Sequence, residues 1–212
     1  YISALAAYTL KRKKGVRFLF DMRGFWADER VDGNIWKLTN PLFKIIFKYF
    51  KRKELEFLNS ADYTISLTDN GKKEIHSWQN MSSCPIEVIP CCADMDHFNI
   101  NNYPVALSQQ IRSYLKIEEK AFVLSYLGSI GTWYMLDEML DFFIVLKKHI
   151  PHAIFLFISH DEQHIRAAVE KKQIAFSDIR IVQTSRKNVP DYLLASDVNV
   201  FFIKPSFSKK AS

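Results

Sequence analysis

The chain has 212 residues, 48% of them apolar and 25% charged, with a formal net charge of +6. That length and composition can bury a core in one large domain or two modest ones, and they exclude a disordered chain. No apolar run reaches the roughly 18–20 residues that a bilayer-spanning helix needs. The positive balance tilts the choice of partners toward anions: phosphates, nucleic acid or an acidic membrane face.

The chain opens on a helical pattern, Leu5–Lys14, within "YISALAAYTLKRKKG". With no initiator Met or signal peptide, and an end at "FSKKAS", it is expected to be a piece of a longer protein. The apolar run Val16–Asp21 predicts a strand that delivers "FLFDMRGFWADE", so Asp21, Arg23, Asp28 and Glu29 gather at its mouth with Gly24 and Trp26 among them. A carboxylate there can act as general base toward a hydroxyl, and an arginine can hold an anion or a developing negative charge. An ion-pair network that orders the strand-to-loop turn uses the same residues, and both readings stay open.

The next helix, Pro41–Leu58, carries Phe43, Ile46, Phe47 and Phe50 on one stripe and Lys44, Lys48, Lys51 and Arg52 on another. It either packs on a core behind a solvated basic face or lies on an anionic membrane surface. A strand at Tyr63–Leu67, a helix at Asn70–Trp78 and a strand at Ile86–Pro90 follow. Cys84, Cys91 and Cys92 make no disulfide framework; they suit a reducing compartment and are expected to be buried as small apolar residues. "CCADMDHFNINNYPVAL", rich in Asp, Asn and Pro, then breaks the pattern and reads as a hinge. It divides the chain into a first domain over 1–95, a linker over 96–104 and a second domain over 105–212.

The second half alternates strands at Phe122–Gly128, Ile154–Ser159, Ile179–Val182 and Val198–Ile203 with helices at Leu136–His149, Glu162–Lys172 and Pro190–Ala195. This alternation predicts parallel α/β layers, with strands apolar on both faces because helices cover each side. One echo links the halves: "NSADYTISL" at Asn59–Leu67 and "LASDVNVFFI" at Leu194–Ile203 each run from a small residue through Asp into a strand.

Ligands of open α/β sheets bind beyond the carboxyl ends of the strands. In "SYLGSIGTWY", Gly128 and Gly131 fall between a strand and a helix, where backbone N–H groups can face a phosphate; a plain tight turn fits the same spacing. In "FFIKPSFSKKAS", Lys204, Ser206, Ser208, Lys209 and Lys210 leave a strand and suit a phosphate or form a solvated basic loop. Other motifs fail. "HDEQH" at His160–His164 has Asp161 where a zinc protease needs Glu, His149 and His152 have no third ligand in view, and neither G-x-G-x-x-G nor G-x-S-x-G occurs.

Five segments, in order and spacing, resemble family 4 glycosyltransferases of the GT-B architecture. "DMRGFWADE" is similar to the family's "RDLWPE" loop, and "SADYTISLTDNGKKEI" to its next strand and helix. "IEVIPCCADMDHF" resembles the interdomain segment through Ile89, Pro90, Asp94 and Phe98. "LSYLGSIGTWYMLDEML" and "VPDYLLASDVNVFFIKPS" resemble the first strand and the later helix and strand of the donor-binding domain. The resemblance implies α/β architecture with two Rossmann-like domains facing across a cleft, both incomplete here. It implies transfer of a sugar, with retention and without a bound metal or other cofactor, from a UDP- or GDP-linked donor to a saccharide or lipid-linked acceptor in polysaccharide or cell-envelope synthesis.

By the same resemblance, Asp28 or Glu29 contacts the acceptor and Arg23 has a structural or anion-holding role. Gly128, Ser129, Gly131 and Thr132 line the diphosphate; Lys204 or Lys209, together with Ser206, are the residues of this chain left to supply the missing charge and hydroxyl. The implied location is cytoplasmic and peripheral to the inner membrane face, without a nucleic-acid partner. Two departures stand out: Cys91–Cys92 replace the linker "NG", and Ser129 and Thr132–Trp133 occupy places that usually hold diphosphate-binding Arg and Lys. The glutamate expected at the donor ribose would lie beyond Ser212, so this piece alone is expected to be a poor catalyst. The competing readings are a non-catalytic nucleotide- or sugar-binding module and a basic protein that binds membrane surfaces or nucleic acid.

Overall fold

The computed structural model describes residues 1–81 and 84–211. It divides into two compact units, one formed by Tyr1–Cys92 together with the chain from Pro205 onward, the other by Ala93–Lys204. The expected linker over 96–104 is absorbed into the second unit, where Ile100–Asn102 form a 3-10 turn. The expected second domain also loses its tail, because Phe207–Ala211 form a 3-10 turn that packs in the first unit.

The first unit runs α1 (Ile2–Lys14), β1 (Leu19–Met22), α2 (Trp26–Asp32), α3 (Pro41–Ser60), β2 (Tyr63–Ser66), α4 (Asp69–His76) and β3 (Ile86–Val88). Its three strands are parallel in the order β1-β2-β3. Local chemistry sets the helix ends. Gly15, at φ 69°, closes α1 with its N–H on the Lys11 carbonyl. The Asn40 side chain accepts from Leu42 N before Pro41 starts α3, and Thr68 accepts from Gly71 N at the start of α4.

Phe18, Phe20, Met22, Phe57, Leu58, Ile75 and Ile86 form the core of this unit. Phe20 and Phe57 meet edge to face with centroids 5.5 Å apart. The expectation of strands apolar on both faces fails here. Along β1, buried Phe20 and Met22 alternate with exposed Leu19 and Asp21, because helices cover only one face of this sheet within the unit.

The second unit runs α5 (Leu107–Tyr114), β4 (Val123–Leu127), α6 (Leu136–His149), β5 (Ile154–Ile158), α7 (Glu162–Lys171), β6 (Ile179–Val182), α8 (Val189–Leu194) and β7 (Val198–Asn199). Its sheet is parallel in the order β6-β5-β4-β7. Val123–Tyr126 and Phe155–Ile158 are buried without alternation, as strands covered on both faces should be. β7 is shorter than the expected Val198–Ile203. Past Asn199 the chain turns to the segment before α6, with a Tyr134–Ile203 antiparallel bridge.

The echo read in the sequence is a shared structural device. Asp62 accepts from Phe18 N at 2.7 Å through its side chain, and its own N–H donates to Phe18 O at 2.9 Å. Asp197 does the same to Val123, with distances of 2.7 and 2.8 Å. Each carboxylate also meets a cation, Lys11 at 2.6 Å and Arg112 at 3.0 Å respectively.

The hydrogen bond from Lys11, then that from Phe18 N, lowers the Asp62 pKa below its ordinary value. A carboxyl depressed in the fold adds stability that is fully present above the unfolded value of about 3.9 and is lost as pH falls through the folded one. Acid unfolding of Asp62→Asn, followed by circular dichroism between about pH 5 and pH 2, should therefore be less steep than that of the parent chain.

Candidate functional site

The charged mouth of β1 separates into two groups in the first unit. Asp21 and Arg23 stay at the strand end, paired at 3.0 Å, with Arg23 mostly exposed. They line a cavity of about 380 Å3 together with Ile65, Leu67, Ile89, Pro90, Cys91 and Cys92. Both of these cysteines are exposed, against the expected burial, because the chain leaves β3 there without packing beneath a helix; Cys84 is buried as expected.

Asp28 and Glu29 instead enter α2, a helix that the sequence reading took for a loop. The Asp28 carboxylate accepts from Lys51 Nζ at 2.8 Å, and Glu29 faces Lys209 at 3.5 Å. Lys210 pairs with Glu74 at 2.9 Å, so the basic tail meets carboxylates within this unit. Ser206 belongs to this unit too, and its hydroxyl lies 3.2 Å from that of Ser208.

Beneath Asp28 lies Glu54, whose side chain is 0% exposed. It accepts hydrogen bonds from the Tyr1 hydroxyl and from Lys51. Burial raises the Glu54 pKa above the ordinary carboxylate range even though Lys51 attracts the charge. Burial also pushes the Tyr1 hydroxyl far up, with Glu54 adding to the effect. For Lys51, burial alone would lower the pKa, but the charges and hydrogen bonds of Glu54 and Asp28 outweigh it and hold the ammonium above its usual range. Its charge also sits 4.3 Å above the Trp78 ring. The expectation that Lys51 belongs to the solvated face of this helix is thereby corrected.

Removing one partner strands a buried charge. Lys51→Met should cost about 3–5 kcal/mol in urea unfolding, and Lys51→Met/Glu54→Leu should recover most of that loss.

In the second unit, β4, β5 and β6 end at a cavity of about 230 Å3 lined by Gly128, Ser129, Ser159, His160, Thr184 and Val189 among others. Gly128 has φ 146°, and a Cβ added there would meet the Tyr126 hydroxyl at 3.1 Å. That hydroxyl donates to Ser129 O at 2.8 Å, and burial pushes its pKa up to about 12. Gly128 N donates to Ile158 O, and Ile130 N donates to the Asp161 carboxylate at 2.6 Å. Asp161, in the failed "HDEQH" motif, thus braces the glycine loop, a role its spacing did not signal.

Ser129, Gly131 and Thr132 are exposed, and a Cβ on Gly131 would meet nothing within 4 Å. Lys204 is held beside this loop by its backbone, its N–H donating to Trp133 O at 2.8 Å. The structure therefore brings Gly128–Thr132 and Lys204 to one end of the sheet, while Ser206 falls in the other unit. The first turn of α6 carries Asp137 and Glu138, which suits the helix dipole but weighs against a phosphate resting on that turn alone.

Two arginines of this unit are committed to structure. Arg112 donates to the carbonyls of Ala195, Glu119 and Ala121, and Arg180 to those of Leu115, Ser177, Ile179 and Lys116. Arg186 and Lys187 are exposed in a turn just past Thr184, a basic pair that the sequence reading passed over. Among the described residues no group of three or more His, Cys, Asp or Glu is placed to hold a metal ion.

No protein-family profile matches the chain, and no curated protein sequence does. Solved structures do match. A glycosyltransferase from Rickettsia africae ESF-5 is similar at TM-score 0.63 and 11% identity, over 92% of this chain and 47% of that one. The N-terminal domain of Candida albicans trehalose-6-phosphate phosphatase gives 0.65 at 10% identity, over 98% and 51%. A trehalose-6-phosphate synthase studied for glycosyl transfer with retention gives 0.54 at 16% identity, over 91% and 48%. At such identities the likeness shows the fold: Rossmann-like α/β units with parallel sheets, of the GT-B glycosyltransferase kind. The chain spans about half the length of the structures it matches.

The two glycines give a local test. Gly128→Ala should reduce the stability of the second unit by about 1–3 kcal/mol, because a side chain at that φ is strained and presses on Tyr126. Gly131→Ala should leave stability within about 0.5 kcal/mol of the parent in urea unfolding.

Proposed function

We propose that this chain is part of a family 4-like, retaining glycosyltransferase and that its second unit binds the nucleotide-sugar donor. The observation that carries the reading is the glycine loop at the carboxyl end of β4, the interior strand with β5 and β7 on its two sides. Gly128 holds a backbone shape that suits glycine, and Lys204 is fastened alongside. Open space at Gly131 and exposed Ser129 and Thr132 leave room for a diphosphate, and His160 and Thr184 border the adjoining cavity where the nucleoside would extend.

In this reading the donor is UDP- or GDP-linked, no further cofactor takes part, and the acceptor is a saccharide or a lipid-linked saccharide of polysaccharide or envelope synthesis. The protein works in the cytoplasm, and the chain is a piece of a longer protein. Support for that last point comes from the half-length match. Arg23, exposed at a cavity, is the cation of the first unit that holds an anion.

A second reading has a specific observation behind it. Asp28 and Glu29, expected at the acceptor, are paired with Lys51 and Lys209, which favours a module that binds a nucleotide without transferring sugar.

Calorimetric titration of UDP, GDP, ADP and NAD into the chain tests the donor site. One nucleoside diphosphate should bind, and Gly131→Ala should weaken that binding about tenfold while the fold stays intact. Binding of NAD alone, or of none of the four, would defeat the proposal. Unchanged turnover of the longer enzyme after Glu29→Gln would remove the acceptor role from that residue.

A further inference from the structure

Nothing in the core or in the donor reading uses Cys91 and Cys92. Both thiols are free and exposed just past β3, whereas Cys84 is buried. They share the wall of the cavity of about 380 Å3 with Arg23, Asp21, Ile89 and Pro90. Asp21 accepts from Arg23 Nε at 3.0 Å, and among the described residues nothing accepts from the other two guanidinium nitrogens. The hydrogen bond and charge of Asp21 raise the Arg23 pKa, and Cys91 adds to the effect, so its sulfur lies within the field of the cation.

Cys92 is placed differently. Its Sγ donates to Pro90 O at 3.3 Å, a bond that keeps the proton on sulfur. One thiol therefore sits beside a cation, which favours a nucleophilic thiolate, and its neighbour is held as a thiol. Among the described residues no group of three His, Cys, Asp or Glu is placed to hold a metal ion, so the pair lacks the further ligands of a thiolate metal site. Adjacent Cα atoms lie about 3.8 Å apart, short of the roughly 4.4–6.8 Å of an ordinary disulfide. A bond between these two sulfurs closes a strained eight-membered ring, and strained, exposed disulfides are the easily reduced ones.

We infer that Cys91–Cys92 is a redox modification site where a hydroperoxide forms a reversible vicinal disulfide, with Cys91 as the attacking sulfur and Cys92 as the resolving one. The Cys91 sulfur attacks the terminal peroxide oxygen: an S–O bond forms and the O–O bond breaks. With hydrogen peroxide, the departing oxygen takes the Cys91 proton and leaves as water. The Cys92 sulfur then attacks Cys91: the S–S bond forms, the S–O bond breaks, and hydroxide leaves with the Cys92 proton as a second water. The two sulfurs give up two electrons and the peroxide accepts them. Exchange with a free thiol reverses the step. Cys92 is the last residue before the chain crosses into the second unit at Ala93, so ring closure takes torsional freedom from the backbone at that crossing. The inference is independent of the nucleotide reading.

Peptide mapping by mass spectrometry of the chain, first reduced and then treated with hydrogen peroxide, tests it. The peptide holding Cys91 and Cys92 should become about 2 Da lighter, both thiols should be lost to alkylation together, and dithiothreitol should restore them. Cys84 should still alkylate once the oxidised chain is unfolded. Cys92→Ser should stop at a sulfenic acid on Cys91 that dimedone traps, and Cys91→Ser should slow oxidation of the site about tenfold. Arg23→Leu should slow ring formation about three- to tenfold and Arg23→Lys should restore most of the rate. Circular dichroism should be unchanged throughout, because all three side chains are exposed. Disulfide-linked dimers in place of the ring, separate oxidation of each cysteine to sulfinic acid, or a rate untouched by Arg23→Leu would overturn the inference.

Discussion

Each sheet begins at an aspartate that clasps the neighbouring strand. Asp62 and Asp197 stand at the first turn out of a helix, and each makes two hydrogen bonds to a single residue, Phe18 or Val123, at the start of the adjacent strand. That pair of bonds sets the parallel register, Leu19 opposite Tyr63 and Leu124 opposite Val198. A slip of one residue would turn Phe20 and Met22 out of the core. Register in turn decides which residues leave the sheet at its carboxyl end. Counted from the clasp, Arg23 in the first unit holds the place that Gly128 holds in the second. One unit thus offers a side-chain cation where the other offers bare backbone.

The first unit adds a second constraint. A buried carboxylate, Glu54, is tolerable only while Lys51 and Tyr1 answer it, and Lys51 is shared with Asp28. The start of α1, α2 and α3 are thereby fixed to one another through charge as well as through the Phe and Trp rings around them. The segment "DMRGFWADE" divides its charges between two tasks: Asp21 and Arg23 at the strand end face a cavity, and Asp28 and Glu29 on α2 face inward or toward the tail.

Hydrophobic periodicity located every strand because the strand runs are short, β-branched or aromatic, and bounded by polar turns. Leu136–His149 was legible to the residue, since Asp137 and Glu138 open it and Lys147, Lys148 and His149 close it. α2 and α5 were not legible: both are short, and neither has a side-chain cap like that of Thr68 on α4 or a first-turn proline like that of α8 to mark its start. The glycine loop was visible through its two glycines, but its brace was not. Asp161 lies 31 residues beyond Ile130, and only the alignment of β4 with β5 brings them together. The inward turn of Lys51 was hidden for a similar reason. Helical spacing put it near Lys44 and Lys48; one of its acidic partners, Glu54, shares the helix, but Asp28 lies on another.

The rings packed around Tyr1 have an optical consequence. Three of the four tryptophans, Trp26, Trp36 and Trp78, lie in the first unit, and Trp133 alone lies in the second. Trp26 stacks on Tyr1 with centroids 5.4 Å apart and meets Trp36 edge-on at 5.3 Å, while Trp78 has the Lys51 ammonium over its face. Intrinsic fluorescence of this protein is therefore mainly a signal from the first unit. A single smooth emission change on heating would report chiefly the melting of that unit, and loosening of the glycine loop of the other would register only as the small contribution of Trp133, the residue next to it.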